Sequence, residues 1–294
     1  MRVAVIDIGS NSVRLAVFEG DIAILKTLIT SRLAEGFSGG LLTQNSIERT
    51  VRAVCELKQK ALEYGVGTIY AFATEAVRRA ENRADFLRKV KSEAGINIYV
   101  ASGEEEANLA VVGALNGDDG CVVDLGGAST EVAVSIGSQL VYSYSLPIGA
   151  VVLNNMCGTD ESKLTPFIAQ KVMNYGDIPL TENVVAVGGT ATSIAACALG
   201  LKEYSSSAVN GCRLTLAVLE ELIGIFKNKS AEEICKDFCV DTRRAEIIYG
   251  GAMLLYAVMQ KISVQYFFVS ENDNLDGFYS LVSKGAIKPD DYNA

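Results

Sequence analysis

Residues 122–132 read VVDLGGASTEV, so an apolar run ends at Asp124 and two glycines follow at once. The pattern predicts a buried β-strand that ends on a carboxylate and then turns through residues that expose backbone N–H groups. A β-hairpin with a permissive Gly-Gly turn explains this stretch when it is taken alone. A functional interpretation therefore needs support from the remainder of the chain.

The N-terminal stretch VAVIDIGSNSVRLAVFEG, residues 3–20, repeats the same design. A shift of 117 residues, from 7 to 124, places Asp7 on Asp124 and Ser12 on Ser129. Each copy continues into further strand-like alternation, which a single chance hairpin would not explain. The repeat predicts an internal duplication and two related α/β domains.

Turns rich in glycine and serine at the ends of strands suit the binding of phosphate. Glycine lets consecutive N–H groups converge on an anion, and serine adds a hydroxyl donor. A third turn, in VVAVGGTATSIAA at 184–196, leads from a strand into a helix and offers the N–H groups of a helix N-terminus. The aspartate that ends each of the first two strands is placed to hold Mg²⁺ or water. The residues predicted to bind phosphate in the three turns are Gly9, Ser10, Asn11, Ser12, Gly126, Gly127, Ser129, Gly188, Gly189 and Thr190.

Composition narrows the classes of function. The 294 residues include no histidine, which excludes serine-hydrolase triads, histidine metal ligands and His-Asp metal phosphohydrolase chemistry. A general base must then be a carboxylate or, less favourably, a lysine, cysteine or tyrosine. The formal net charge of −9 argues against a nucleic-acid partner, because such proteins normally present a basic surface.

The chain also has the features expected of a cytoplasmic protein without a membrane partner. No apolar run reaches the roughly 18 residues of a membrane span, and the sequence begins in strand pattern rather than in a signal peptide. The seven cysteines contain no CxxC pair. We therefore expect buried, reduced thiols rather than a zinc or redox site.

Three consecutive glutamates in SGEEEANL, residues 102–109, begin a predicted helix. Ser102 and Glu105 fit a capping box, in which the serine caps the helix and the glutamate bonds back to the cap. Glu106 has no capping role and follows a strand-to-helix crossover, where α/β proteins form ligand clefts. We therefore predict that Glu106 is the general base. Arg78 lies in the loop-like TEAVRRAEN after a strand and is predicted to reach a phosphate.

Several motifs in a fixed order together resemble a known family. They resemble the exopolyphosphatase/guanosine-pentaphosphatase (Ppx/GppA) family of the actin-like ATPase superfamily, in the short form without the added His-Asp domain of longer members. The motifs are DIGSNSVRL, RLAEGF, ATEAVRRAEN, SGEEEA, VVDLGGASTE, SLPIGAV and VGGTATSIA.

The resemblance implies two duplicated actin-like (ribonuclease H-like) domains, with the active site in the cleft between them. Residues 1–116 would form the first domain and residues 117–277 the second. A C-terminal helix over about residues 278–294 would return to the first domain.

The resemblance also implies hydrolysis that depends on Mg²⁺ or Mn²⁺ and releases the terminal phosphate of inorganic polyphosphate, of guanosine pentaphosphate, or of both. A homodimer is also compatible with this resemblance. The motifs imply Glu106 as the catalytic glutamate, Asp124, Glu131 and, by the repeat, Asp7 as metal ligands, and Arg32 and Arg78 as phosphate contacts.

Three positions depart from the pattern of the family. Ala128 replaces a third glycine, so we expect the second loop to be slightly altered. Val152 and Leu275 stand where the family has arginines, which removes positive charge expected to face a polyanion. Two alternatives therefore stay open: a non-catalytic binder of guanosine polyphosphates or polyphosphate, and a small-molecule kinase of the same superfamily.

Overall fold

The structure is a computed structural model, and it describes residues 2–287. The chain divides into two compact units. The first unit contains the described residues up to Gly113 together with those from Asn274 onward, and the second contains Ala114–Asp273. Each unit has one mixed β-sheet with helices packed against it, so each is an α/β unit as predicted.

The sheet of the first unit has five strands in the order β3-β2-β1-β4-β5. The strands β3, β2 and β1 are antiparallel, whereas β4 and β5 run parallel to β1. The parallel strands are joined through helices, which is the connection that parallel pairing requires. The five strands are β1 (Arg2–Ile8), β2 (Ser12–Glu19), β3 (Ile22–Thr30), β4 (Thr68–Ala73) and β5 (Tyr99–Val100).

The helices of the first unit cover this sheet. The longest, α1, is capped by Thr43, whose side chain accepts from the N–H of Ser46, and its apolar stripe at helical spacing is buried. Helix α4 crosses the boundary between the two units. The helices are α1 (Gln44–Glu63), α2 (Glu75–Arg79), α3 (Arg83–Ala94), α4 (Gly103–Leu115) and, after the second unit, α12 (Asn274–Ser283).

Helix α12 packs on the sheet of the first unit. The ring of Phe278 stacks on Phe72 with centroids 4.6 Å apart, and Tyr279 stacks on Phe18 at 4.0 Å. The helix begins at Asn274 rather than near 278, because its first turn is already buried in this unit. The part of the predicted C-terminal helix from residue 288 onward lies outside the described residues.

The sheet of the second unit has six strands in the order β10-β11-β9-β6-β7-β8. Strand β6 pairs antiparallel with β7 and parallel with β9, and β11 is parallel to β9. The strands are β6 (Gly120–Leu125), β7 (Thr130–Ile136), β8 (Gln139–Leu146), β9 (Val184–Val187), β10 (Cys212–Thr215) and β11 (Tyr266–Val269).

Seven helices complete the second unit. Helix α11 is largely buried and contacts α5, α6, α7, α9 and α10, so it forms the centre of the helical layer. The helices are α5 (Ala150–Cys157), α6 (Glu161–Val172), α7 (Gly189–Ala198), α8 (Ser206–Val209), α9 (Leu216–Lys227), α10 (Ala231–Asp237) and α11 (Thr242–Ile262).

The predicted repeat is visible in both sheets. The order β3-β2-β1-β4 in the first sheet matches β8-β7-β6-β9 in the second, with the same antiparallel and parallel pairings. The pairing of β2 with β3 and the pairing of β7 with β8 each contain a register shift at equivalent residues. The shift lies between Val17 and Phe18 in the first unit and between Val134 and Ser135 in the second. Residues 117 positions apart therefore correspond in backbone geometry as well as in sequence.

The cysteines are all free thiols. Cys121, Cys157 and Cys197 are buried as expected, while the other four are half-buried. Burial raises the pKa of Cys121 and of Cys197 to about 12, so both stay protonated at neutral pH. Among the described helices none is long and apolar enough to cross a membrane.

Candidate functional site

The second glycine loop, residues 126–129, is hydrogen-bonded to the first turn of α5. The N–H of Gly126 donates to the carbonyl of Ser129 at 3.0 Å, which closes the turn. The N–H of Ala150 donates to the carbonyl of Gly126 at 3.1 Å, and that of Val151 donates to the carbonyl of Gly127 at 2.9 Å. The carbonyls of the loop are thereby engaged by the helix N-terminus.

The first glycine loop is held in the same way by a different segment. The N–H of Gly9 donates to the carbonyl of Ser12 at 3.0 Å. The carbonyl of Ser10 accepts from Ala34 at 2.9 Å, and the carbonyl of Asn11 accepts from Arg32 at 2.8 Å. In residues 2–287 the backbone N–H groups at 10, 11, 127 and 128 have no protein acceptor, so both loops offer donors to an anion.

The glycines of the two loops allow neighbouring atoms to pack closely against the backbone, and they are not needed for a left-handed conformation. None of the three glycines, Gly9, Gly126 and Gly127, has a positive φ. A β-carbon at Gly127 would instead lie 3.1 Å from the Val151 side chain. Ala128 also lacks a positive φ, so the reason for expecting an altered second loop does not apply: alanine adopts this backbone without left-handed strain.

Arg32 combines an unusual backbone with an exposed side chain. Its φ is +51°, in the left-handed region that side chains other than glycine seldom adopt. Its N–H is bound by the first loop, and its carbonyl accepts from Arg49 at 3.1 Å. These bonds hold the strained conformation beside the loop, where strain of this kind commonly marks a functional position.

The two strand-end aspartates have opposite surroundings. Asp7 is 4% exposed, and Arg14 donates to its Oδ2 from Nε at 2.8 Å and from Nη2 at 2.5 Å. In the second unit the residue opposite Asp124 on the neighbouring strand is Glu131. The repeat thus places a glutamate where the first unit has an arginine.

Asp124 and Glu131 form a pair suited to a divalent cation. Carboxylates directly opposite each other on neighbouring strands repel, so a cation or hydrogen-bond donors must offset their charge. The Ser145 hydroxyl supplies one donor, to Glu131 Oε1 at 2.6 Å. Among the described residues no cluster of three or more acidic, cysteine or histidine side chains could hold a metal. Two carboxylates nevertheless fit Mg²⁺, which keeps several waters and completes its shell with substrate phosphates.

The third glycine turn passes directly over Asp124. Gly188 has a φ of +91°, and a β-carbon there would lie 2.9 Å from Asp124 Oδ1. Gly189 begins α7. The side chain of Thr190 is buried, and its methyl group packs against Gly251 of α11, so this predicted contact has no exposed hydroxyl to offer a ligand.

The sequence did not indicate Arg244, which lies against this turn. A β-carbon at Gly189 would come within 2.3 Å of Arg244 Nη2 and 2.8 Å of Nη1, so the guanidinium packs on the glycine. Arg244 follows another arginine at the start of α11, a pattern typical of a solvated helix end. Only the fold shows that one of the two is half-buried against a glycine turn.

The capping box in the first unit is confirmed. The N–H of Glu105 donates to Ser102 Oγ at 3.1 Å, and Glu105 Oε2 accepts from the N–H of Ser102 at 2.7 Å. Burial acts to raise the pKa of Glu105, but hydrogen bonds from Tyr99 and Ser102 outweigh it and hold this pKa below its usual value.

Glu106 is held by Arg78, a contact that the sequence did not predict. Arg78 Nη1 donates to Glu106 Oε2 at 3.0 Å and to the carbonyl of Ala101 at 2.8 Å. Both side chains are about a quarter exposed, at 27% and 22%. The candidate base and a candidate phosphate contact are therefore neighbours, and Arg78 fixes the position of Glu106.

The two positions at which this chain lacks the arginines of the family differ in their surroundings. The N–H of Val152 donates to the carbonyl of Gly127 at 3.1 Å, so Val152 lies next to the second loop. Leu275 is 2% exposed in a core cluster with Phe72 and Phe278. The expectation that both positions face a ligand was wrong for Leu275, because α12 begins early enough to bury it.

Comparison with known proteins agrees with the motifs. The chain matches the Ppx/GppA phosphatase family over residues 3–275. A bifunctional 3-dehydroquinate synthase/phosphatase from Fusobacterium nucleatum is 28% identical over an alignment that covers 93% of this chain and 45% of that protein. Exopolyphosphatase 1 from Mycobacterium bovis is 29% identical over 90% of this chain and 83% of that protein. The chain thus spans less than half of the first relative and most of the second.

A solved structure extends the likeness to the fold. The crystal structure of the Aquifex aeolicus member of the Ppx/GppA family is 31% identical, with a TM-score of 0.83 over 98% of this chain and 99% of that one. This match confirms the predicted fold class of duplicated actin-like domains. By sequence, by fold and by the order of its glycine turns, this chain belongs to the Ppx/GppA phosphatase family.

Proposed function

We propose that this protein is a phosphoanhydride hydrolase that releases the terminal phosphate of inorganic polyphosphate. The names of its exopolyphosphatase relatives support this substrate. The observation that carries the proposal is the ion pair between Arg78 and Glu106, because it orients a carboxylate that has no part in capping α4. In a chain without histidine, such a carboxylate is the best available base.

In the proposed reaction a water molecule attacks the terminal phosphorus and transfers a proton to Glu106. The anhydride P–O bond breaks, and the products are orthophosphate and a chain shortened by one phosphate. The N–H groups of the glycine loops donate to phosphate oxygens, and Arg32 adds positive charge beside the first loop. Arg78 keeps the Glu106 carboxylate oriented toward the water.

We assign the metal site to Asp124 and Glu131, with Mg²⁺ favoured over Mn²⁺. Mg²⁺, when bound there, would offset the negative charge of the phosphate oxygens. Asp7 is left out of the proposed site, since its carboxylate already forms an ion pair with Arg14 inside the first unit. Guanosine pentaphosphate is a second proposed substrate. A cytoplasmic location and a homodimer stay predictions from the sequence.

The test compares Glu106→Gln with two control variants. We expect Glu106→Gln to lower kcat for phosphate release from short polyphosphate by at least about 10²-fold with little change in KM, because the change removes the base but keeps the shape. Glu104→Gln, an exposed neighbour in the same turn, and Glu105→Gln should keep turnover within about threefold of the unmodified protein.

The same assay separates the proposal from its alternatives. Phosphate release from tripolyphosphate, longer polyphosphate and guanosine pentaphosphate would be measured with Mg²⁺ and with a chelator. A non-catalytic binder would bind these ligands and release nothing even at high protein concentration. A kinase would consume ATP only when an acceptor molecule is present.

A further inference from the structure

The carboxylate of Glu131 is supported by the neighbouring edge strand, a contact that the sequence did not indicate. Ser145 lies opposite Glu131 on β8, and its hydroxyl donates to Glu131 Oε1 at 2.6 Å. On the other side of β7, Glu131 lies opposite Asp124 of β6. The bond from Ser145 therefore restricts the rotation of a carboxylate that belongs to the acidic pair.

The backbone of Glu131 is held from inside the core of the second unit. A short 3₁₀ helix, Met173–Tyr175, places the ring of Tyr175 in this core, where the residue is 2% exposed. The Tyr175 hydroxyl donates to the carbonyl of Thr130 at 2.9 Å. That carbonyl belongs to the peptide group that joins Thr130 to Glu131. The bond therefore fixes the peptide group from which Glu131 begins.

Tyr175 is itself held by its neighbours. The hydroxyl of Tyr142 donates to the carbonyl of Tyr175 at 2.6 Å, and the ring of Tyr144 meets the Tyr175 ring edge to face, with centroids 5.5 Å apart. The side chain of Thr130 donates to the carbonyl of Ile148 at 2.8 Å, which fixes the start of β7 from another direction. The support behind Glu131 is therefore a connected set of hydrogen bonds and ring contacts.

The first unit shows that strand pairing does not require the serine. By the shift of 117 residues, Arg14 corresponds to Glu131 and Leu28 corresponds to Ser145. Leu28 lies opposite Arg14 on the paired strand, just as Ser145 lies opposite Glu131. The same hairpin register thus forms with leucine, so the hydroxyl of Ser145 needs another explanation.

Packing does not account for the two hydroxyl groups either. Phenylalanine would fill the core in place of Tyr175, and it would not need the partner that a buried tyrosine hydroxyl requires. Loss of the Ser145 hydroxyl would leave the core intact, because this residue is exposed. Both hydroxyl groups instead converge on Glu131, and carboxylates that bind metals are typically held by such outer hydrogen bonds.

We propose that Ser145 and Tyr175 are positioning residues that hold Glu131 as a ligand of a divalent cation. Ser145 orients the carboxylate, and Tyr175 fixes the peptide group that carries it. Both act through Glu131 rather than by contact with the cation. The identity of Glu131 as a metal ligand rests on the proposed function.

The experiment measures metal binding separately from turnover. Mn²⁺ alone would be titrated into the protein, and the electron paramagnetic resonance signal of the free ion would give the fraction bound. We expect Ser145→Ala and Tyr175→Phe each to raise the Kd of Mn²⁺ about 10-fold or more, the effect of losing an outer partner of a metal ligand. Glu131→Gln, which removes the charge of the ligand itself, should raise this Kd at least as much.

Each variant has a matched control. Ser143→Ala removes a hydroxyl from the same strand at a position opposite Ala133 instead of Glu131. Tyr279→Phe removes a tyrosine hydroxyl that donates to the carbonyl of Gly20 at 2.6 Å in the first unit. We expect both controls to raise the Kd of Mn²⁺ less than about twofold.

A double variant distinguishes positioning from packing. If Tyr175 acts through Glu131, adding Tyr175→Phe to Glu131→Gln protein should change the Kd of Mn²⁺ less than about twofold, because the ligand to be positioned is already lost. An equal fold-increase in both backgrounds would overturn the proposal. Equal Kd values for Ser145→Ala and Ser143→Ala, or for Tyr175→Phe and Tyr279→Phe, would also overturn it. If Tyr175→Phe does not fold, Ser145→Ala decides, since that residue is exposed.

The outcome is independent of the proposed hydrolysis. Mn²⁺ binding that depends on Ser145 and Tyr175 in a protein that releases no phosphate would retain this inference and refute the hydrolase. Phosphate release by the unmodified protein, with Mn²⁺ binding unchanged by Ser145→Ala and Tyr175→Phe, would retain the hydrolase and refute the positioning role. A Kd unchanged by Glu131→Gln would show that Glu131 is not a ligand and would overturn the proposal.

Discussion

Glu105 and Glu106 are adjacent on α4, and the chain holds them by different contacts. Glu105 bonds back to Ser102 and accepts a hydrogen bond from Tyr99, so its carboxylate belongs to the end of the helix. Glu106 is bound by Arg78, which also holds the carbonyl of Ala101. A difference of one position along the helix therefore separates a structural acid from a candidate base.

The lowered pKa of Glu105 leads to a prediction about stability and pH. A carboxyl whose pKa is lower in the folded state stabilises the protein above its usual pKa, and this contribution is lost as the pH falls through the folded-state value. We expect Glu105→Gln to lower the free energy of unfolding by up to about 1 kcal/mol at pH 7, and the difference to shrink as the pH falls below the usual glutamate pKa of about 4.3.

Chemical denaturation of Glu105→Gln and of the unmodified protein between pH 3 and pH 8 would measure this difference. Glu104→Gln serves as the control, since Glu104 is exposed and lies in the same helical turn. A difference that stays constant across the whole range would assign the effect to packing rather than to the charge of Glu105.

At the scale of elements, the approach of α5 to the second loop depends on Gly149. A β-carbon at this position would lie 2.4 Å from the carbonyl oxygen of Gly126 and 2.6 Å from the carbonyl carbon of Gly127. We therefore expect Gly149→Ala to push the helix away from the loop, to destabilise the protein by about 1–3 kcal/mol and to weaken tripolyphosphate binding.

Gly224→Ala is the matched control for that prediction. Gly224 lies within α9 of the same unit, has no positive φ, and an added β-carbon would meet no atom within 4 Å. Alanine should stabilise the protein there by up to about 1 kcal/mol, because it is the better helix former. Equal Tm values and equal tripolyphosphate affinities for the two variants would show that α5 does not need its close approach.

Local patterns in the sequence predicted the helices, strands and turns. Contacts between residues distant in sequence determined the features that these patterns did not predict. The capping box and the repeated turns depend on residues within a few positions of one another, so they could be read directly. The burial of Leu275 depends on α12 packing against Phe72, and the position of Arg244 depends on a turn that precedes it by more than fifty residues. No local pattern carries that information.

At the scale of the whole molecule, the duplication has given two related units different charges at equivalent places. Arg14 neutralises Asp7 in the first unit, whereas Glu131 doubles the negative charge next to Asp124 in the second. The first copy thus completes its strand end with an internal ion pair, and the second keeps an acidic pair suited to a cation. This asymmetry assigns the proposed metal site to one copy only.

The overall charge bears on the length of the substrate. A long polyphosphate carries roughly one negative charge per unit and needs cations along its path, while this chain has a net charge of −9. Backbone donors in the glycine loops can still bind a few terminal phosphates. We therefore expect kcat/KM to level off at short chains rather than to rise steadily with chain length.

Val152→Arg tests the origin of that preference, because Val152 lies next to the second loop. Leu275→Arg is unsuitable, since it would place an unpaired charge in the core of the first unit. We expect Val152→Arg to raise kcat/KM for long polyphosphate relative to tripolyphosphate by about 3- to 10-fold, since one added charge contact near the surface contributes about 1 kcal/mol. The control, Leu180→Arg, adds the same charge at a position that is 80% exposed, where it should change the ratio little. Rates that climb steadily with chain length in the unmodified protein, or an equal effect of both variants, would show that basic residues away from the loop bind the chain.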